Sequence, residues 1–175
     1  MGFYNTVLET KRLRLIPIAS VYRKAIFEAF TETLARSTYP QPTGNIADID
    51  TVISESSASR AREGNLQYVV LLKETGEFIG CAGLHNIPVK PEPGLWLKES
   101  SWKNGFGFEI IEAIRCWAKD HLECAYLYYP VRKENVPSRR IAEKLGGILE
   151  KDEFLSKNSR GEESVMVVYR IPCFS

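Results

Sequence analysis

Gly94-Leu-Trp-Leu-Lys-Glu-Ser-Ser-Trp-Lys-Asn-Gly-Phe-Gly-Phe-Glu109 is the stretch on which the fold turns. Its first four residues read as a short strand and a loop follows. Glycines at 105 and 107 then open a strongly apolar helix running to about His121, with Phe106, Ile110, Ala113, Ile114 and Trp117 along one face. The start of a helix exposes backbone N–H groups that have no partner inside it and carries the positive end of its dipole, so it suits a phosphate. Glycines there keep side chains out of the approach. No Gly-Lys-Ser/Thr follows, so the loop is not of the triphosphate-and-metal kind. Nor is the spacing the Gly-x-Gly-x-x-Gly of dinucleotide folds. Alone, Gly-x-Gly at a helix start is equally compatible with a plain structural turn.

Reading upstream, Gln67 to Leu72 and Glu77 to Leu84 are strands joined by the hairpin signal Glu74-Thr75-Gly76, and the proline-rich run Pro88 to Pro93 connects onward. Before them, alternation from Arg12 to Pro17 predicts a first strand. Ser20 caps a helix to about Ala35, and Asp48 caps a second helix in which Ile49, Val52 and Ile53 pack while Arg60 to Glu63 are solvated. Thr38 to Gly44 is a turn-rich loop between the two helices, and Gly64-Asn65 stops the second.

Downstream, Ala125 to Val131 is a strand. Pro137 to Leu145 is a helix with Gly146-Gly147 just past its end. Leu149 to Leu155 and Ser164 to Ile171 form a last hairpin turning at Asn158-Ser-Arg-Gly161. The expected fold is therefore α/β, an α+β mixed sheet of about seven strands with four helices, in one domain over residues 1–175. Parallel pairing is expected between Gly94 and Leu145.

Composition narrows the function. A chain of 175 residues with 23 basic and 22 acidic side chains has a formal net charge of +1, too small a field for nucleic acid or an anionic membrane to be the main partner. No apolar run is long enough to span a bilayer, and Met1 to Thr10 lacks the layout of a signal peptide, so the expected location is the cytoplasm. Cys81, Cys116, Cys124 and Cys173 form no C-x-x-C pair, and His85 and His121 are the only histidines, which predicts no metal. Cys81 and Cys116 read as small core residues.

A second candidate segment is Asn135-Val-Pro-Ser138. An amide and a hydroxyl at a helix entrance cap it; they are also two polar groups about thirty residues beyond the glycine loop. With these segments in view, the sequence resembles the GNAT superfamily of N-acetyltransferases, in its ribosomal-protein-alanine acetyltransferase (RimJ/RimL-like) branch. Leu8-Glu-Thr-Lys-Arg-Leu-Arg-Leu15 resembles the branch's opening strand and Phe78-Ile-Gly-Cys-Ala-Gly-Leu84 its central strand. Leu95 to Glu109 resembles its coenzyme A loop, and Asn135-x-x-Ser138 with Ala142-Glu-Lys-Leu-Gly146 its second cofactor motif. The chain departs from the pattern at Trp102, where Arg or Gln is common, at Lys103 and Asn104, where glycine and a basic residue are usual, and at Gly147, where the usual phenylalanine would pack.

The resemblance implies transfer of an acetyl group from acetyl-CoA, as co-substrate, to a primary amine on a protein N-terminus or a small molecule. It places the pantetheine arm along Leu95 and Leu97. The diphosphate goes to backbone N–H groups of Trp102, Lys103, Asn104, Gly105, Phe106, Gly107 and Phe108. Asn135 binds the pantetheine end, and Ser138 donates a proton to the departing thiolate. Tyr128 or Tyr129 could serve instead, and either could equally be sheet packing. For the base, His85 has a suitable pKa, whereas Glu32 and Glu99 are expected to face solvent. Trp117 and Phe106 read as core, while Trp96 faces either core or acceptor cleft. The alternatives are a non-catalytic coenzyme A-binding module and a structural domain without cofactor. Monomer and homodimer are both compatible.

Overall fold

The computed structural model of the chain describes residues 6–31, 34, 45–157 and 163–174. The turn expected at Asn158–Gly161, the carboxylate Glu32 and the loop from Thr38 to Gly44 lie outside them. Among the described residues there are eight strands in two antiparallel sheets, and four α-helices. The first sheet has the order β1 (Leu8–Glu9), β2 (Leu13–Pro17), β3 (Leu66–Leu72), β4 (Phe78–His85), β5 (Glu92–Leu97). The second has β6 (Tyr126–Arg132), β8 (Glu163–Pro172), β7 (Ile148–Lys157). The helices are α1 (Arg23–Ala29), α2 (Ile46–Ala61), α3 (Phe106–His121) and α4 (Val136–Lys144).

The amphipathic stripe of α3 does what its spacing predicts. Ile110, Ile111 and Ile114 are fully buried and Trp117 nearly so, in a core shared with Leu13, Leu15 and Ile79 of the first sheet and Leu127 and Ile171 of the second. Burial of each such side chain contributes roughly 1.5–3 kcal/mol, which fixes α3 across both sheets. A smaller cluster lies with α1 and α2, where Ile26 packs on Val69 and Phe78, with Ile49 and Trp96 beside them. Trp96 therefore faces this second cluster, edge-on to Phe30 at 5.0 Å and to Phe78 at 6.0 Å.

Several local expectations are corrected. Ser20 lies in a short 3-10 turn and caps nothing; α1 has Tyr22 at its N-cap and ends at Ala29. Asn45, not Asp48, caps α2 by accepting from the Ala47 N–H at 3.0 Å, and Asp48 sits in the first turn where its charge suits the dipole. Arg60 is buried rather than solvated, because its guanidinium donates to the Gln67 carbonyl and lies over the Tyr68 ring. Cys116 is exposed, not core.

The expected parallel pairing is the most informative correction. No ladder joins β5 to β6 among the described residues; the two sheets share one main-chain hydrogen bond, from the Tyr128 N–H to the Pro91 carbonyl at 2.8 Å. Sequence explains why it stops there. The next rung of a parallel ladder would need an N–H at position 93, and the one after it an N–H at position 130. Both are prolines, which have no N–H to give. Pairing ends, and the strands part.

Candidate active site

Four segments border the gap between the sheets. On β5, the bond from the Lys98 N–H to the Ile79 carbonyl, with the register Gly80↔Leu97 and Ala82↔Leu95, fixes which groups face which way. Alternation in an antiparallel pair then turns the N–H and C=O of Leu95 and Leu97 away from β4 and toward the gap. Leu95 keeps both groups without a ladder partner. The Leu97 carbonyl accepts from the Trp102 indole Nε1–H at 2.8 Å, which leaves its N–H facing the gap.

The loop after β5 is tied by its own side chains. The Trp102 N–H donates to the Glu99 carbonyl at 3.1 Å, so this residue's main-chain donor is already spent. Asn104 donates its side-chain amide to the carbonyls of Ser101, at 3.2 Å, and Trp102, at 3.0 Å. Lys103 (φ 61°) and Gly105 (φ 77°) are both left-handed, and only the glycine adopts that conformation without steric cost. The N–H groups of Lys103, Asn104, Gly105, Phe106, Gly107 and Phe108 have no acceptor within the described residues. Successive unpaired amides in such a loop, at the start of a 16-residue helix, form an anion-binding concavity.

Gly105 is thus a glycine for its conformation. Gly107 is one for packing: a Cβ there would lie 2.9 Å from the Ile141 Cδ1 and 3.9 Å from the Leu95 methyls. The same contact shows that the two sequence segments meet, since β5, the start of α3 and the first turns of α4 converge on Gly107. A groove of about 580 Å³ runs along the other side of α3 from Gly105 to His121, under Val7 and Arg12. Its walls carry Glu9, Glu109, Glu112 and Asp120, a charge unsuited to a diphosphate, so the amides and not this groove are the candidate.

At α4, Asn135 accepts from the Ser138 N–H at 3.2 Å, the capping geometry its position allows, which leaves its amide NH2 with no described partner. Tyr129 is buried in the core, and burial pushes its phenol pKa up, partly offset by the Ser138 hydroxyl close beside it. Tyr128 is half-buried, with Lys90 4.7 Å from its ring centroid. Of the two tyrosines, the structure brings Tyr129 to Ser138.

His85 registers with Glu92, at the end of β4 where the sheets are joined, so it stands away from the open end at Leu97. Burial lowers its pKa. Glu99 is exposed and accepts from the Thr31 hydroxyl at 3.2 Å. Gly147, standing where the usual phenylalanine would pack, closes a tight corner. Its N–H donates to the Ala142 carbonyl at 2.8 Å, that of Gly146 to Glu143 at 3.1 Å, and a Cβ at 147 would stand 2.7 Å from the Ala142 oxygen.

Sequence reading passed over Thr10, Arg12 and Glu109, which join the β1–β2 turn to the first turn of α3. The Arg12 N–H donates to Glu109 Oε1 at 2.8 Å and its Nε to Oε2 at 2.8 Å, while Thr10 donates its hydroxyl to the same carboxylate. Burial would raise the Glu109 pKa, but the bonds from Thr10 and Arg12 and the Arg12 charge outweigh it, and the net direction is down. A glutamate in a helix's first turn was the available signal. Among the described residues, no group of three or more His, Cys, Asp or Glu side chains could hold a metal ion, and no helix is long and apolar enough to cross a membrane.

Comparison with known proteins agrees with this architecture. Residues 12–148 match the acetyltransferase (GNAT) domain family. An uncharacterized N-acetyltransferase of Bacillus subtilis (strain 168), YoaA, is 26% identical over 144 residues, covering 80% of this chain and 81% of its own. Among solved structures, the acetyltransferase from Salmonella typhimurium that modifies the N-terminal serine of ribosomal protein L7/L12 superposes with a TM-score of 0.84 at 15% identity, over 95% of this chain and 99% of that one. The microcin C7 self-immunity acetyltransferase MccE, in complex with acetyl-CoA and AMP, gives 0.82 at 16% identity over 93% of each chain.

Proposed function

This chain belongs to the GNAT acetyltransferase family and is an N-acetyltransferase, and we propose that it moves the acetyl group of acetyl-CoA to a primary amine, on a protein N-terminus or a small molecule. In this reading residues 1–175 act as one catalytic domain in the cytoplasm. The observation that carries it is the placement of six unpaired amides, from Lys103 to Phe108, beside a strand edge left open at Leu95 and Leu97. The residues suit the co-substrate: a concavity of N–H donors fits a diphosphate, and an unpaired strand edge fits the amide-bearing pantetheine arm. Trp102 contributes its indole, not its main-chain donor.

Bound acetyl-CoA supplies a thioester, which a neutral amine attacks directly, so no nucleophile is required of the protein. Leu95 and Leu97 hold and orient the arm. The Leu97 N–H faces the gap and can stabilise negative charge growing on the carbonyl oxygen. The Asn135 amide NH2, free of the cap, steadies the far end of the arm. The Ser138 Oγ delivers the proton to the leaving sulfur and is reprotonated, by way of water, by the proton that the attacking nitrogen gives up, with the Tyr129 hydroxyl standing behind it. The acceptor enters from the side of α1 and α2, past Phe30, Trp96 and Glu99.

The test is thiol release from acetyl-CoA with a panel of amines: peptides with N-terminal serine or alanine, a polyamine and an aminoglycoside. Peptides come first, because a neighbour in fold acts on an N-terminal serine. Thiol release dependent on one amine class is expected. Tight coenzyme A binding with no turnover on any amine would leave a binding module instead. Coenzyme A at a hundred times its dissociation constant adds roughly 2.7 kcal/mol of stability, so an unchanged melting temperature at millimolar coenzyme A argues against the site itself.

A further inference from the structure

The loop amides point usefully only if their peptide planes are held, and the structure shows what holds them. In a trans peptide the C=O of one residue and the N–H of the next point in opposite directions. Asn104 captures the Trp102 carbonyl at 3.0 Å, which turns the Lys103 N–H the other way. Arg12 Nη1 captures the Asn104 carbonyl at 3.0 Å, which turns the Gly105 N–H the other way. These are the two left-handed residues of the loop.

Arg12 is itself immobilised. Its Nε and Nη2 reach Glu109 Oε2 at 2.8 and 2.7 Å, and its guanidinium carbon lies 4.4 Å from the Phe106 ring centroid. The Glu109 carboxylate balances its charge, so what Arg12 adds to the loop is direction more than field.

On the reading given under Proposed function, we propose that Arg12 is a positioning residue for the diphosphate. Across the strand order, from the β1–β2 turn, it sets the aim of the Gly105 N–H through the Asn104 carbonyl, with Glu109 and Phe106 as its mount. A lysine at 12 keeps the charge but cannot serve Glu109 and Asn104 together with one planar fork.

The experiment compares coenzyme A with pantetheine, which has the arm but no diphosphate, as calorimetric ligands for wild type and Arg12→Lys. Wild type binding coenzyme A no more tightly than pantetheine would overturn the diphosphate reading, and this proposal with it. Where wild type discriminates, Arg12→Lys is expected to weaken coenzyme A about tenfold and to leave pantetheine unchanged. Equal weakening of both ligands, or of neither, overturns the positioning role alone. Should Arg12→Lys show no cooperative melt, Glu109→Gln carries the same comparison, because it releases the fork while keeping an acceptor.

Discussion

The Trp102 indole reaches back across five residues to donate to the Leu97 carbonyl at 2.8 Å, so the loop is pinned to the strand edge it follows. A net hydrogen bond of this kind contributes about 1 kcal/mol. Trp102→Phe is expected to lower the melting temperature by roughly 2–4 °C and to weaken coenzyme A several-fold as the loop loosens. Differential scanning fluorimetry with and without coenzyme A measures both. An unchanged melting temperature would mean that water replaces the indole without loss.

Gly105 separates backbone cost from electrostatic cost. A methyl group there has room, with the nearest atom, Arg12 Nη2, at 3.7 Å, but φ of 77° costs an L-residue roughly 1–2 kcal/mol. Gly105→Ala is expected to weaken coenzyme A modestly. Gly105→Asp sets a carboxylate among the amides and within reach of Arg12, and is expected to abolish detectable binding while the circular dichroism spectrum stays native. Equal affinities for the two variants would show that no anion sits there.

The pairing of Ser138 with Tyr129 allows a direct assignment of the proton donor. Ser138→Ala is expected to lower kcat by about a hundredfold, with KM for acetyl-CoA within about threefold, in the range that loss of a general acid costs. Tyr129→Phe removes only the group behind Ser138 and is expected to cost less. The reverse order in a thiol-release assay would transfer the role to Tyr129.

His85 sets a pH dependence of stability. Burial depresses its folded pKa below the ordinary value near 6.5. Below that value the unfolded chain takes up a proton that the folded chain resists, so the contribution of neutral His85 is present above about 6.5 and is lost as pH falls through the folded value. Melting temperatures of wild type and His85→Gln between pH 8 and 5 test this. The variant is expected to lose less stability on the acid side; parallel curves would remove His85 as the cause.

Much of the site was legible because its signals are local. The Gly105 helix start, the stripe from Ile110 to Trp117 and the cap at Asn135 each follow from spacing and side-chain chemistry within a few residues. What escaped depends on chain segments far apart. Glu109 belongs to the Arg12 clamp through contacts 97 and 99 residues away, which no periodicity encodes. Arg60 read as solvated because its charge outweighed its stem on paper, whereas the Gln67 carbonyl and the Tyr68 ring bury it. Gly147 reads in sequence as a missing side chain, whereas the Ala142 oxygen stands 2.7 Å from where its Cβ would lie.

Pro93 and Pro130 have a consequence for how such a slot could be lost. Each withholds a single donor, and the two withheld donors are consecutive. Valine at both positions would let the strands zip onward, two rungs at a stroke, into one continuous eight-stranded surface. Such a protein is expected to melt higher and to lose coenzyme A binding, and a melting curve with and without coenzyme A that matches wild type would show that the prolines are not what parts the strands. Two missing hydrogens stand at the mouth of the opening, where the last shared bond is the one from Tyr128 to Pro91.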